Sequence, residues 1–360
     1  MQVRLILFYL LFIPAVTLSQ AVQVSAVDQA RRIAQKTFDD EKFPGMAVAV
    51  SRGGELVWSE GFGYADIAER IPVDPARSLF RIGSVSKTLT AAGLMLLYQE
   101  GKIDLDAEIQ TYVPEFPPKA HPVTVRQVAS HTGGIRHYRG VEFASNIHYP
   151  TVRDGLDIFK DDPLLFEPGT RYAYSSYGWN LISAAMETAA GMDFLAFMDT
   201  RIFTPFGMDD THAEDVNQDW PARVRFYSRR GDDKQNLEAM PVDNSYKWAG
   251  GGFISTAEDL IRFGQQILTY DLLTRETMTE SWTSAVLNDG SSVSYGIGWR
   301  TGEDKKGRKW VGHSGGSVGG TSMFLVFPEE QLIVVTLVNL SSARMGNLAF
   351  RIAEQFLSNE

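Results

Sequence analysis

The sequence predicts an α/β protein. One sheet, drawn from both ends of the chain, carries helices on its faces, and a mostly helical insertion lies between its two halves. Three observations lead there. Strand-like runs cluster near the start, at 46–60, and again near the end, at 309–339. Amphipathic helical patterns flank both clusters, and helical patterns dominate the middle. The chain has 360 residues, 44% hydrophobic and 22% charged, with no repeat at a fixed period, so one large core or two smaller ones can form.

The elements follow in order. Residues 1–21 carry one early cation, Arg4, an apolar run from Leu5 to Phe12 that continues past Pro14 to Val16, and then small residues at Ser19 and Ala21. That layout reads as a secretory signal peptide cleaved after Ala21, with an uncleaved anchor as the competing reading. The run is short of the about 20 residues a membrane span needs. The exported chain would then be periplasmic or secreted. Residues 27–38 form an amphipathic helix. Runs at 46–51 and 55–60 around Gly53-Gly54 read as a β-hairpin. Residues 84–100 read as a helix that is apolar on nearly every side from Ala91 to Tyr98, hence buried. Residues 102–240 mix loops with a helix from Gly178 to Ala190. After 250, Ser255 with Glu258 three residues on reads as a capping box that starts a helix to about Leu268. Strands at 309–316, 321–327 and 331–339 and a helix at 347–357 close the chain. The sheet part is thus expected at about 22–83 and 248–360, and the helical part at about 84–247.

Composition excludes several functions. There is no cysteine, hence no disulfide, thiol nucleophile or thiolate metal site. The formal net charge of −10 argues against nucleic acid and anionic membrane as partners. No metal-ligand spacing such as His-Glu-x-x-His is present. The sequence therefore calls for no cofactor and no metal, and for a small-molecule or peptide substrate.

Three short segments carry the chemistry. Ser84 and Lys87, in GSVSK, form the one Ser-x-x-Lys pair in the chain and lie one helical turn apart, on the same face. A serine at a helix N-terminus sits near unpartnered N–H groups and the positive end of the dipole. A lysine against a buried run loses proton affinity. A neutral lysine can take the serine proton, which makes an activated nucleophile. The same serine can instead be a plain helix cap. The second segment is YAYSSYG, 172–178, where Tyr174 beside an ammonium can serve as a phenolate base or belong to an aromatic core cluster. The third is HSGG, 313–316. His313 is a proton carrier near neutrality, and Gly315 or Gly316 offers a backbone N–H to an oxyanion, unless the glycines merely turn the chain.

Together and in this order, with TVRQVASHTGG and FEPGTRYAYSSYG between them, these segments resemble the serine β-lactamase and penicillin-binding-protein-like family. The likeness is narrower to the class C β-lactamase-related group, with its D-aminopeptidase, D,D-peptidase, esterase and mitochondrial serine β-lactamase-like relatives. It spans about residues 28–357. It implies a β-lactamase/transpeptidase-like fold: an antiparallel sheet flanked by helices plus a mostly helical subdomain, with the site in the cleft between. Residues 22–360 would form the catalytic domain. The resemblance implies that Ser84 is acylated and that Lys87 and Tyr174 share the proton transfers. It puts His313 and Gly315 on the opposite wall, and makes the N–H groups of Ser84 and Gly316 the oxyanion hole.

Two positions depart from that pattern. Ser176 stands where the group has Asn, and cannot both donate and accept as an amide does. His313-Ser314-Gly315 replaces Lys-Thr-Gly, so a permanent cation gives way to a group largely neutral at pH 7. The expectation is a serine hydrolase for a peptide, D-amino acid amide or ester, with weak or no β-lactam hydrolysis. A non-catalytic binding or scaffold protein on the same fold is the rival from another class. The Gly-x-Ser-x-Gly at 315–319 would be a nucleophile elbow only with a later histidine, and none of the six histidines follows Ser317. His131 and His137 read as loop histidines with local hydrogen bonds.

Overall fold

The computed structural model describes residues 16–231 and 234–357. Most of the expected leader, residues 1–15, lies outside the described residues. Its last part belongs to α1 (Val16–Glu41), which runs as one helix through the expected cleavage point after Ala21 and past both ends of the expected 27–38. No Gly or Pro interrupts 15–43, so nothing in the sequence ends the helix sooner.

Strands β1 (Gly45–Arg52) and β2 (Glu55–Asp66) form the expected hairpin, with Gly53 and Gly54 both at positive φ in the turn. After β3 (Ile71–Pro72), the short β4 (Phe80–Arg81) leads through a 3-10 turn, Gly83–Val85, into α2 (Ser86–Gln99). The helix expected at 84–100 therefore begins two residues late, and Ser84 sits in the turn ahead of it. The middle of the chain supplies α3 (Val125–Ala129), α4 (Ser176–Ala190) and α5 (Phe194–Met198), joined by long loops. Short strands β5 (His212–Ala213), β6 (Tyr227–Ser228) and β7 (Leu237–Glu238) follow.

The last third holds α6 (Trp248–Gly251), β8 (Phe253–Ser255), α7 (Ala257–Thr269) and α8 (Arg275–Trp282). Strands β9 (Arg300–Glu303), β10 (Lys309–Ser317), β11 (Gly320–Phe327) and β12 (Leu332–Val338) precede the closing α9 (Leu348–Leu357). The cap of α7 is Thr256, whose side chain accepts from the Asp259 N–H, not Ser255 as the sequence suggested. Ser255 is held in β8 opposite Phe80, so the helix can start only after it.

The main sheet has the order β3-β2-β1-β12-β11-β10-β9, and every pairing in it is antiparallel. The β1–β12 pair joins the two ends of the chain, as the clusters of strand-like runs implied. Alternation along β1 sorts its residues between two cores. Met46, Val48 and Val50 face α1 and α9, where Ala30, Ala34, Ile352 and Phe356 cover them. Ala47 and Ala49 face the other way, toward α7 and the helical part, with Phe263, Val335 and Leu337. Both faces of the central strands are thus covered, which is why β12 reads as an apolar run broken only by the buried Thr336. Residues Ser86 to Leu97 of α2 are all buried, as their apolar surround predicts. Among the described residues, no single helix is long and apolar enough to cross a membrane.

The fold brings the turn before α2 against the inner face of β10. A methyl on Gly83, whose φ is +50°, would lie 2.7 Å from the Gly316 nitrogen. One on Gly315 would lie 2.0 Å from the Ile82 carbonyl oxygen. Only glycine permits so close an approach at these two places.

Candidate active site

Ser84 caps nothing. The cap position of α2 is Val85, and no side chain satisfies its first N–H groups. The Ser84 hydroxyl is engaged elsewhere. Tyr174 donates its hydroxyl to Ser84 Oγ at 2.8 Å, and Lys87 Nζ lies 3.2 Å from the same oxygen. Lys87 is fully buried. Its Nζ also donates to the Gly250 carbonyl at 2.5 Å and to Ser176 Oγ at 3.0 Å. Burial drives its pKa well below 10.5, and the neighbouring cations Lys247 and Arg300 push it further down.

The protonation pattern follows from the donor inventory. A neutral amine has two N–H groups and one lone pair. The Gly250 carbonyl can only accept, so it takes one N–H, and Ser176 takes the second. Tyr174 already donates to Ser84 Oγ. The Ser84 proton is then left to point at the Lys87 lone pair. Tyr174 differs from the sequence expectation on one point. Burial pushes its phenol well above 10, so the protonated form dominates.

Tyr174 and Ser176 arrive on the loop entering α4, whose cap is Ser175 accepting from the Gly178 N–H. His131 and His137 hold that loop. Nδ1 of His131 accepts from the Ser175 N–H, and Nδ1 of His137 from the Ser176 N–H, both at 3.1 Å. This is the local hydrogen-bonding role read from the sequence. The His131 ring also packs 4.4 Å from the Tyr174 ring centroid. Burial lowers His137 to about 4.

On the facing strand, His313 is buried and neutral. Its Nδ1–H donates to the Ser314 carbonyl at 2.7 Å, and its Nε2 accepts from the Tyr295 hydroxyl at 3.0 Å. Burial, with Lys87 nearby, lowers it to about 3. It therefore stands as a fixed wall of the site. Gly316 faces open space, with nothing within 4 Å of where a Cβ would be. Gly315 points the opposite way, into the Ile82 carbonyl and Ser322 Oγ, and does not line the cleft. The structure thus brings Ser84, Lys87, Tyr174, His313 and Gly316 to one place and sets Gly315 behind them, as the residue that lets β10 close on the nucleophile turn. Ser317, the centre of the rejected elbow motif, is a buried strand residue.

The cleft around Ser84 measures about 260 Å³. It is also lined by two cations that sequence reasoning did not single out, Lys247 and Arg300, and among the described residues by no acidic side chain. Neither cation lies in a motif. Nothing in SYKWAGG or GWRTGE marks a site until the chain is folded.

The chain is similar to known proteins in both sequence and fold. The family profile described as Beta-lactamase matches residues 30–356. The human serine beta-lactamase-like protein LACTB, mitochondrial, is 32% identical to this chain, the alignment covering 92% of this chain and 80% of that protein. Penicillin-binding protein 4* of Bacillus subtilis is 28% identical over 84% of this chain and 69% of its own. Among solved structures, the octameric penicillin-binding protein homologue from Pyrococcus abyssi aligns with a TM-score of 0.79 at 26% identity, covering 92% of this chain and 77% of that one.

Proposed function

Since the chain belongs to the β-lactamase family, a family of serine hydrolases, we propose that it is an exported serine hydrolase that acts through an acyl-enzyme on Ser84. Its substrate would be a peptide, a D-amino acid amide or an ester. The observation that carries the reading is the placement of Ser84 Oγ 3.2 Å from the buried Lys87 amine and 2.8 Å from the Tyr174 hydroxyl, with no cap to serve.

The steps follow from the contacts. Ser84 Oγ attacks the carbonyl carbon as its proton passes to the Lys87 lone pair. The oxyanion meets the backbone N–H groups of Ser84 and Gly316, and one such donor is commonly worth about 3 kcal/mol of barrier. Collapse breaks the bond to the leaving group, which takes the proton back from the Lys87 ammonium, with the Tyr174 hydroxyl as a second donor beside it. Water then repeats the sequence on the acyl-enzyme. It gives its proton to Lys87, releases the acid and returns the proton to Ser84.

Poor β-lactam hydrolysis is part of the proposal. Ser176 Oγ is already taken by Lys87, and His313 offers no positive charge. The export component rests on the apolar segment at 5–16. It is checked by sequencing the N-terminus of the protein recovered from its own cells, where a start at Val22 is expected.

A fluorophosphonate probe and a fluorescent penicillin test the rest, with peptide mapping of any adduct. The fluorophosphonate is expected on Ser84, and on nothing in Ser84→Ala, whose melting temperature should match the parent. Folded protein that takes no adduct would replace this reading by the non-catalytic scaffold.

A further inference from the structure

Lys247 is buried, at 2% exposure, and lines the same cleft as Ser84. No carboxylate among the described residues lies within ion-pair distance of it. Among the described residues, the one hydrogen bond of its ammonium is a long one, 3.4 Å, to the Phe143 carbonyl. Three rings surround the ammonium, with centroids 4.5 Å (Phe143), 5.1 Å (Tyr246) and 5.6 Å (Tyr138) away. Aromatic faces stabilise a cation but accept no ordinary hydrogen bond. A lysine has three N–H donors, and a buried charged group left without partners is costly. The site is therefore a donor set lacking its acceptor.

The two cations of the cleft work on different walls. Lys247 stands among the rings of Tyr138, Phe143 and Tyr246, while Arg300 lies in β9, paired with Gly312 of β10. Both lower the proton affinity of Lys87. Arg300 is exposed and already placed to meet an anion at the β10 wall. Lys247 lies away from that wall, next to Tyr138 and Phe143.

We propose that Lys247 forms a second anion subsite, so that the substrate presents a carboxylate to the Tyr138–Phe143 wall, across Ser84 from Arg300. This deepens the hydrolase reading and rests on it for the word substrate. An anion there supplies the missing acceptor and pairs the Lys247 ammonium, which has no carboxylate partner among the described residues. Burial, with Arg81 adding to it and Glu214 opposing it, brings the empty Lys247 to about 7. Lys87, His137, Tyr138 and Tyr246 are the other titratable groups that face it. A bound carboxylate favours the charged lysine, so binding takes up a proton at pH 8 and weakens as pH rises above about 7.

Calorimetric titration with glutarate tests this, on the parent protein and on Lys247→Met, Lys247→Arg and Arg300→Met, each checked for native circular dichroism. Lys247→Met is expected to weaken glutarate by about tenfold or more and to abolish proton uptake at pH 8, while Lys247→Arg restores binding without that proton uptake. Equal affinity in the parent and Lys247→Met, loss only in Arg300→Met, or no binding to the parent would each overturn the proposal. The titration does not need a reactive serine. Lys247-dependent binding by a protein whose Ser84 takes no fluorophosphonate would therefore sink the hydrolase reading alone.

Discussion

Gly315→Ala should be one of the most damaging small substitutions in this protein. The added carbon would sit 2.0 Å from the Ile82 oxygen and 2.1 Å from Ser322 Oγ. Ordinary contact begins near 3.4 Å, so β10 and the segment ahead of Ser84 must part by about 1.4 Å. Overpacking of this kind typically costs about 1–3 kcal/mol. The same movement breaks the 2.7 Å bond from Ser322 Oγ to the Ile82 carbonyl and leaves buried polar atoms unpaired, at roughly 1–3 kcal/mol more. A loss of about 4 kcal/mol lowers the melting temperature by roughly 5 °C in a chain of this size. Activity falls further, because the displaced strand carries the Gly316 N–H, and a shift of about 1 Å can cost roughly a hundredfold. Thermal melts and the rate of fluorophosphonate labelling measure both effects. Gly316→Ala is the control. Its Cβ meets nothing within 4 Å, so its melting temperature should stay with the parent. A Gly315→Ala protein that melts within 1 °C of the parent and labels at the parent rate would refute the wedge argument.

The remaining expectations concern protons and buried polar groups. Lys87 is held below its unfolded value of 10.5, so at lower pH the unfolded chain binds a proton that the folded one refuses. The parent should gain about 1.4 kcal/mol of stability per pH unit as pH rises from the folded value toward 10.5, and Lys87→Met should lack that slope. Urea unfolding at pH 7, 8.5 and 10 reads the difference, and parallel profiles would mean that Lys87 is charged in the fold. His313, at about 3 folded against 6.5 unfolded, makes the parent lose stability as pH falls below 6.5. His313→Gln should be less acid-sensitive by one proton's worth, measured by the same unfolding at pH 4 to 7. Tyr295→Phe strips the donor from the buried His313 Nε2 and should cost about 1–3 kcal/mol, seen as a lower melting temperature.

What could be read in the sequence was local, and what could not depended on burial. The hairpin at Gly53-Gly54, the buried α2, the closing strands and the joining of both chain ends in one sheet all follow from periodicity and turn residues. So does the Ser-x-x-Lys spacing, because one helical turn fixes it. The cap at Thr256 was missed by one residue, since Ser255 is claimed by a strand pairing that no helix signal records. Gly315 and Gly316 look alike in the sequence, yet one packs against the Ile82 carbonyl and the other opens to the cleft. Lys247 and Arg300 belong to no motif, and only tertiary contact brings them beside Ser84.

The proton states show why the motif alone does not make the site. Tyr174 beside a charged lysine would lean toward phenolate. Beside the buried lysine whose proton affinity the fold lowers, and itself buried, it remains a phenol and a donor. Both outcomes use the same residues at the same spacing, and the choice rests on what surrounds them. The proton affinity of Lys87 falls because α2, α4 and α6 close over it, with Gly250 and Ser176 as its other hydrogen-bond partners among the described residues. Opening that enclosure to water would return Lys87 toward its ordinary proton affinity and remove the acceptor that Ser84 needs. The helical half of the molecule therefore contributes to catalysis by keeping one amine dry.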